Sequence, residues 1–133
     1  MRVVIDPNVF VSSFFGGNPR RIIDFWKEGR VTLCLSKGIV DEYIEVLQRL
    51  GTNVEELADI LGLFKSGIGC LFTATTPDLT IVECDPEDDK FIECAVALGA
   101  EYIVSGDQDL IQVQDYMGMQ TLTPAQFLEQ LSE

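Results

Sequence analysis

Along the chain, short β-branched apolar runs take turns with apolar stripes at helical spacing, and that alternation predicts the elements. Met1 to Ile5 is such a run, ending at Asp6-Pro7-Asn8, which reads as a buried strand followed by a turn. Gly16-Gly17-Asn18-Pro19 opens a helix with Pro19 at its first position, Ile22, Ile23 and Trp26 as its stripe and Gly29 as its stop. Val31 to Leu35 is a second strand. Ser36 caps a helix running to about Leu50, with Ile39, Val40, Tyr43, Ile44 and Leu47 on its apolar face, and Gly51 ends it. Asn53 caps another, with Val54, Leu57, Ala58, Leu61 and Phe64. Cys70 to Ala74 and Leu79 to Val82 read as extended pieces, and Asp85-Pro86 begins a helix carrying Phe91, Ile92, Ala95 and Leu98 before Gly99. Tyr102 to Val104 is a strand opening into a loop, Ser105 to Asp109. Gln120 to Leu122 is a last strand, and Thr123-Pro-Ala-Gln126 has capping-box form before a closing helix with Phe127, Leu128 and Leu131.

Strands separated by helices require β-α crossovers, which give a mostly parallel sheet covered on both faces. The expected class is a three-layer α/β/α sandwich with a central sheet of about five strands, formed by one domain over residues 1–133. Ligands of open parallel sheets gather outside the carboxyl ends of the strands. Asp6 and Asp107 both follow strands at such ends.

Composition narrows the chemistry. With 47% hydrophobic residues and no low-complexity tract, the chain is a folded protein and not a disordered tail. No apolar stretch approaches the ~18 residues of a membrane span, and Asp6 interrupts the apolar run at the N-terminus, so neither a span nor a signal peptide is expected. Histidine is absent, which excludes Ser-His-Asp and Cys-His hydrolases and His-ligated zinc. Cys34, Cys70, Cys84 and Cys94 form no C-x-x-C pair and lie in apolar contexts, as buried thiols of a cytoplasmic protein do, with a disulfide or an all-thiolate metal site as the alternative. Nine basic against 22 acidic residues give a net charge of −13, opposed to general nucleic-acid affinity but suited to divalent cations or a basic partner.

Several acids are therefore candidates for one site, each with a plainer alternative. Asp6 is either a ligand at the end of the first strand or a turn residue before Pro7. Asp107 is aimed upward by the Ser105-Gly106 kink or belongs to a solvated loop, and Asp109 fits that loop as readily as a site. Glu42 stands at the edge of its helix stripe, between Ile39 and Tyr43, or is exposed beside Asp41. Asp88, three and seven residues before Phe91 and Ala95, faces the core or complements the helix dipole together with Asp85, Glu87 and Asp89. Carboxylates within ~4 to 6 Å of one another repel and need a counter-cation. Oxygen-only ligands select a hard ion such as Mg²⁺ or Mn²⁺, and the chemistry implied is metal-assisted phosphodiester hydrolysis.

Val3-Val-Ile-Asp-Pro-Asn-Val9, the Ser36 to Glu42 segment, Asp85-Pro-Glu-Asp-Asp89 and Tyr102-Ile-Val-Ser-Gly-Asp-Gln-Asp-Leu110 follow one another as in a known family. From Met1 to about Leu131 the chain resembles the PIN domains, and among them the bacterial proteins regarded as toxins of toxin–antitoxin pairs. The resemblance implies a Mg²⁺- or Mn²⁺-dependent endoribonuclease leaving a 5′-phosphate and a 3′-hydroxyl. By motif position its four acids map to Asp6, Glu42, Asp88 and Asp107, with Asp89 competing for the third place, Asp109 as an accessory acid, and Asn8 and Ser105 orienting ligands. Ser105 replaces the Thr common in the family and keeps the hydroxyl. The resemblance also implies an RNA substrate, an antitoxin partner and a homodimer. Arg20 and Arg21, within the basic group that also holds Lys27, Arg30 and Lys37, are candidate phosphate contacts, with an ordinary solvated helix face as the alternative. Phe14 and Phe15 are candidates for base stacking or for the core. Two other readings stand beside this one. A phosphatase of the haloacid-dehalogenase type uses a strand-end Asp and a second Asp two residues on, where this chain has Asn8; the non-enzymatic reading is a catalytically silent interaction domain.

Overall fold

The computed structural model describes residues 1–13, 16–49, 51, 54–67, 69–77, 89–112, 115–116 and 118–131. In chain order the elements are β1 (Arg2–Ile5), α1 (Pro7–Ser12), α2 (Gly17–Lys27), β2 (Thr32–Ser36), α3 (Lys37–Arg49), α4 (Val54–Ser66), β3 (Cys70–Thr73), α5 (Asp89–Leu98), β4 (Tyr102–Val104), α6 (Gln108–Ile111), β5 (Asp115–Tyr116), β6 (Met119–Leu122) and α7 (Pro124–Leu131). The strands form one sheet in the order β3-β2-β1-β4-β6-β5. The first five are parallel, and the two-residue β5 closes one edge antiparallel to β6. This is the α/β sandwich expected from the pattern.

Val3, Val4 and Ile5 are fully buried, as a central strand covered on both faces requires. Chain order explains where a crevice forms. From β1 the chain builds outward through β2 and β3, then crosses back to place β4 on the other side of β1. The connections from β1 and β4 leave in opposite directions, so a gap opens between their carboxyl ends.

The helices cover the sheet with the stripes that the sequence predicts. Ile22, Ile23 and Trp26 are buried on α2, Ile39, Tyr43 and Leu47 on α3, Phe91, Ile92 and Ala95 on α5, and Phe127, Leu128 and Leu131 on α7. Phe10 joins two of these faces. Its ring stacks on Tyr43 at 4.7 Å between centroids and meets Trp26 edge-on at 6.3 Å. Gly69 has φ +71°, and a Cβ there would stand 3.2 Å from the Trp26 indole nitrogen, which donates to the Gly69 carbonyl at 3.0 Å. Glycine lets the backbone approach that ring. At α7 the expected capping box is formed in both directions: the Gln126 amide donates to Thr123 Oγ1 at 3.2 Å, and Gln126 Oε1 accepts from the Thr123 amide at 2.9 Å.

Two elements depart from the sequence reading. Asp6-Pro7-Asn8 is no simple turn, because it starts α1: Asp6 Oδ1 accepts from the Asn8 amide at 2.9 Å and Pro7 takes the first helical position. Asp and Pro favour turns and helix starts for the same reasons, a short acceptor side chain and a fixed φ. The loop after β4 likewise contains α6, whose first turn is closed by the Ile111 amide donating to the Asp107 carbonyl at 2.9 Å. The extended piece at Leu79 to Val82, the helix start at Asp85-Pro86, Asp88, Cys84 and the Phe14-Phe15 pair lie outside the described residues.

Cys34 and Cys94 are buried and Cys70 is half-buried, all as free thiols. Burial pushes the Cys34 thiol up to about 11 and that of Cys94 up to about 12, so both stay protonated and inert at neutral pH. No helix among the described residues is long and apolar enough to cross a membrane.

Candidate active site

Sheet register brings the first two acids together. Ile5 lies opposite Val104 in the parallel β1·β4 pair, and the ladder continues one step further, with the Asp6 amide donating to the Val104 carbonyl at 2.9 Å. Asp6 therefore stands beside Ser105, whose hydroxyl donates to Asp6 Oδ2 at 2.7 Å. The same hydroxyl oxygen accepts from the Asp107 amide at 2.9 Å. Ser105 thus fixes the Asp6 carboxylate and, through the backbone, the position of Asp107. Its complete burial protects both bonds from water.

The Asp6 carboxylate is 5% exposed and accepts one hydrogen bond on each oxygen, from the Asn8 amide on one and from Ser105 on the other. Each oxygen keeps a further acceptor site. It is the Asn8 backbone that orients Asp6. Burial raises the Asp6 pKa above 3.8; the bonds from Asn8 and Ser105 oppose the shift, and the charges of Glu42 and Asp107 add to it. The charges of Glu42 and Asp107 thus reach the buried Asp6, though less strongly than its burial acts on it.

Glu42 reaches this region because α3 starts where β2 ends, at the same edge of the sheet. It is half-buried, and Oε2 lies out of water against the Lys90 ammonium. The next residue, Tyr43, is fully buried and donates its hydroxyl to the Ile5 carbonyl immediately before Asp6. Tyr43→Phe leaves that carbonyl without its donor. The expected cost is ~1 to 3 kcal/mol of stability, read by thermal or urea unfolding.

Of the competing third acids, Asp89 is buried in the first turn of α5, whereas Asp88 lies outside the described residues. Asp109 falls on α6, and its side chain too is outside the described part of the structure. Arg20 and Arg21 are exposed on α2. Arg30 leaves the proposed basic group for structural work: its guanidinium lies 4.4 Å from the Phe25 ring centroid and donates to the Leu131 carbonyl at 3.0 Å.

A cavity of about 420 Å³ opens at the switch point between β1 and β4. Asp6, Asn8, Ser12, Pro19, Gly106, Asp107 and Pro124 are among the residues that line it. The sequence pattern did not indicate Ser12, Pro124 or Lys90, and it marked Pro19 and Tyr43 only as a helix start and a core position. For Lys90 a signal was present, since it directly follows the acidic run from Asp85 to Asp89.

Among the described residues, no group of three or more His, Cys, Asp or Glu stands close enough to enclose a metal ion. A closed cage is not what Mg²⁺ or Mn²⁺ needs, because Mg²⁺ retains waters and is held by one or two carboxylates plus substrate phosphate. Asp6 and Asp107 on one cavity, with acceptor sites still open on Asp6, fit that requirement. The donors are all oxygen, which suits a hard ion.

A family model described as PIN domain matches residues 2–109 of the chain. Uncharacterized protein MJ1680 of Methanocaldococcus jannaschii is 30% identical over 149 aligned residues, spanning 100% of this chain and 93% of that protein.

Proposed function

From the premise that this chain belongs to the PIN-domain family, a fold of nuclease type, we propose that it is a divalent-metal-dependent endoribonuclease. The observation that carries the reading is the joint placement of Asp6 and Asp107 on one cavity, coupled through Ser105. The alternative of a haloacid-dehalogenase-type phosphatase gains no support, since the second acid is absent and Asn8 serves through its backbone.

Asp6 and Asp107 would hold Mg²⁺ or Mn²⁺, with Glu42 and one acid at the start of α5 completing the set. We favour Asp89 over Asp88 for that third place because Asp89 is buried where α5 approaches α3. A bound ion supplies acidification of water and charge stabilisation in an in-line displacement at phosphorus. The protein's part is positional. Ser105 and the Asn8 amide set the Asp6 carboxylate, and the cavity beside it would receive the phosphodiester. Arg20 and Arg21, which follow the cavity-lining Pro19, would contact phosphates further along the strand. A strongly acidic chain needs such local contacts, because general attraction for RNA is absent.

Within this reading the protein acts on RNA in the cytoplasm as the toxin of a pair, with an antitoxin blocking the acidic cleft by a basic side chain and with self-association of the toxin. Incubation of the purified protein with RNA and Mn²⁺ tests the activity: 5′-phosphate ends that disappear in EDTA are expected. Products formed equally in EDTA would contradict it. Growth arrest on expression of the wild type alone, relieved by Asp107→Asn, is the result expected of a toxin; unimpaired growth with intact cleavage would leave a processing nuclease.

A further inference from the structure

Lys90 directly follows the buried Asp89, yet its side chain extends away from α5 to reach α3. Its stem passes over Gly38, where a Cβ would lie 4.0 Å from Lys90 Cδ, and its ammonium ends on Glu42 Oε2. The ammonium also lies 5.7 Å from the centroid of the Phe91 ring. Each side chain of the ion pair is 31% exposed. Three arginines are used elsewhere: Arg2 donates to the Leu98 carbonyl, Arg30 to that of Leu131, and Arg49 pairs with Glu45.

We propose that Lys90 is a resident counter-cation of the acid site, holding Glu42 in the metal-free protein and exchanging it for the divalent ion. The inference rests on the nuclease reading above and adds to it a positioning residue that sets metal affinity. Three observations carry it. The ammonium neutralises the acid whose charge acts on Asp6, so it occupies the electrostatic role of the ion. Glu42 Oε2 itself is covered, but both side chains are 31% exposed, so the pair stands at the edge of water, and a pair there is weaker against a competing cation than one enclosed on all sides. The lysine stem is flexible and has glycine beneath it, so the ammonium can leave Glu42 while staying near the Phe91 ring and the acidic edge. Metal binding is then an exchange of cations at one carboxylate.

The test is Mn²⁺ affinity measured calorimetrically without RNA on the full chain. Removing the competitor in Lys90→Met should tighten Mn²⁺ binding about fivefold, the worth of a half-exposed pair. Lys90→Arg keeps the charge and should stay within about twofold of the wild type. In the Glu42→Gln background Lys90→Met should change the affinity by less than about twofold, since the cycle isolates the pair. A merely structural strut predicts otherwise: a lower melting temperature for Lys90→Met and unchanged or weaker Mn²⁺ binding, and that outcome overturns the proposal while leaving the nuclease reading intact. Wild-type protein whose Mn²⁺ binding is absent or unaffected by Asp6→Asn would remove the reading itself, and the inference with it.

Discussion

Asp6→Asn is expected to abolish RNA cleavage and, in the same protein, to raise the stability of the metal-free state. The activity loss should be on the order of a thousandfold or more, because several kcal/mol of transition-state stabilisation go with the metal and each ~1.4 kcal/mol is tenfold. The stability gain has a separate cause. Asp6 is a buried carboxylate whose ionised form is opposed by burial and by the charges of Glu42 and Asp107. An amide oxygen still accepts from the Asn8 amide and the side chain carries no charge, so the helix cap survives and the repulsion goes, while its nitrogen donates to Ser105 Oγ in place of the bond that Ser105 donated. The metal-free variant is therefore expected to melt above the metal-free wild type at neutral pH.

The pH dependence follows from the direction of the shift. The folded state binds the Asp6 proton more tightly than the unfolded chain does, because its pKa is raised above 3.8. The stability contributed by the protonated group is fully present below the unfolded value and is lost as pH rises through the folded value. Metal-free wild type should therefore lose stability across that window. In the variant that contribution is gone, and Mn²⁺ should stabilise only the wild type. Melting curves in EDTA and in Mn²⁺, from pH 4 to 8, measure both effects.

Phe10→Ala is expected to be the most destabilising single truncation near the site. Phe10 is 1% exposed, stacked on Tyr43 and also within ring contact of Trp26 and Phe64. Its removal opens a cavity where α1, α2, α3 and α4 meet, at a cost of ~3 to 5 kcal/mol. For a chain of this length that lowers the melting temperature by roughly 10 to 20 °C. Cleavage should suffer as well, because α1 carries the amide that orients Asp6 and Tyr43 holds the carbonyl before it. A variant with unchanged melting temperature would show that these rings do not pack as described.

The residues that could be read from the chain are those whose environment is set locally or by sheet order. Asp6 and Asp107 follow apolar runs, and strand ends are where a parallel sheet collects ligands, so their convergence needed no knowledge of contacts. Glu42 was legible as an interruption at the edge of a helical stripe. The start of α1 was not, because Asp-Pro-Asn is equally good chemistry for a turn and for a helix cap. Spacing to Ala95 favours Asp88 over Asp89 for the third place, but one residue along a helix turns a side chain by about 100°, so that choice hangs on where α5 begins, and Asp88 lies outside the described residues. In the structure Asp89 is buried. Lys90 could not be paired with Glu42 at all. An ion pair between residues on α3 and α5 leaves no periodic trace, and counting basic residues by proximity in sequence drew attention to Arg20 through Lys37 instead.

Anomalous diffraction from crystals grown with Mn²⁺ puts the whole account at risk in one experiment. A manganese peak within coordination distance of the Asp6 and Asp107 carboxylates, in the cavity between the ends of β1 and β4, is the expected result. Crystals that diffract well and show that cavity without manganese, or with the ion held elsewhere on the acidic surface, would contradict it.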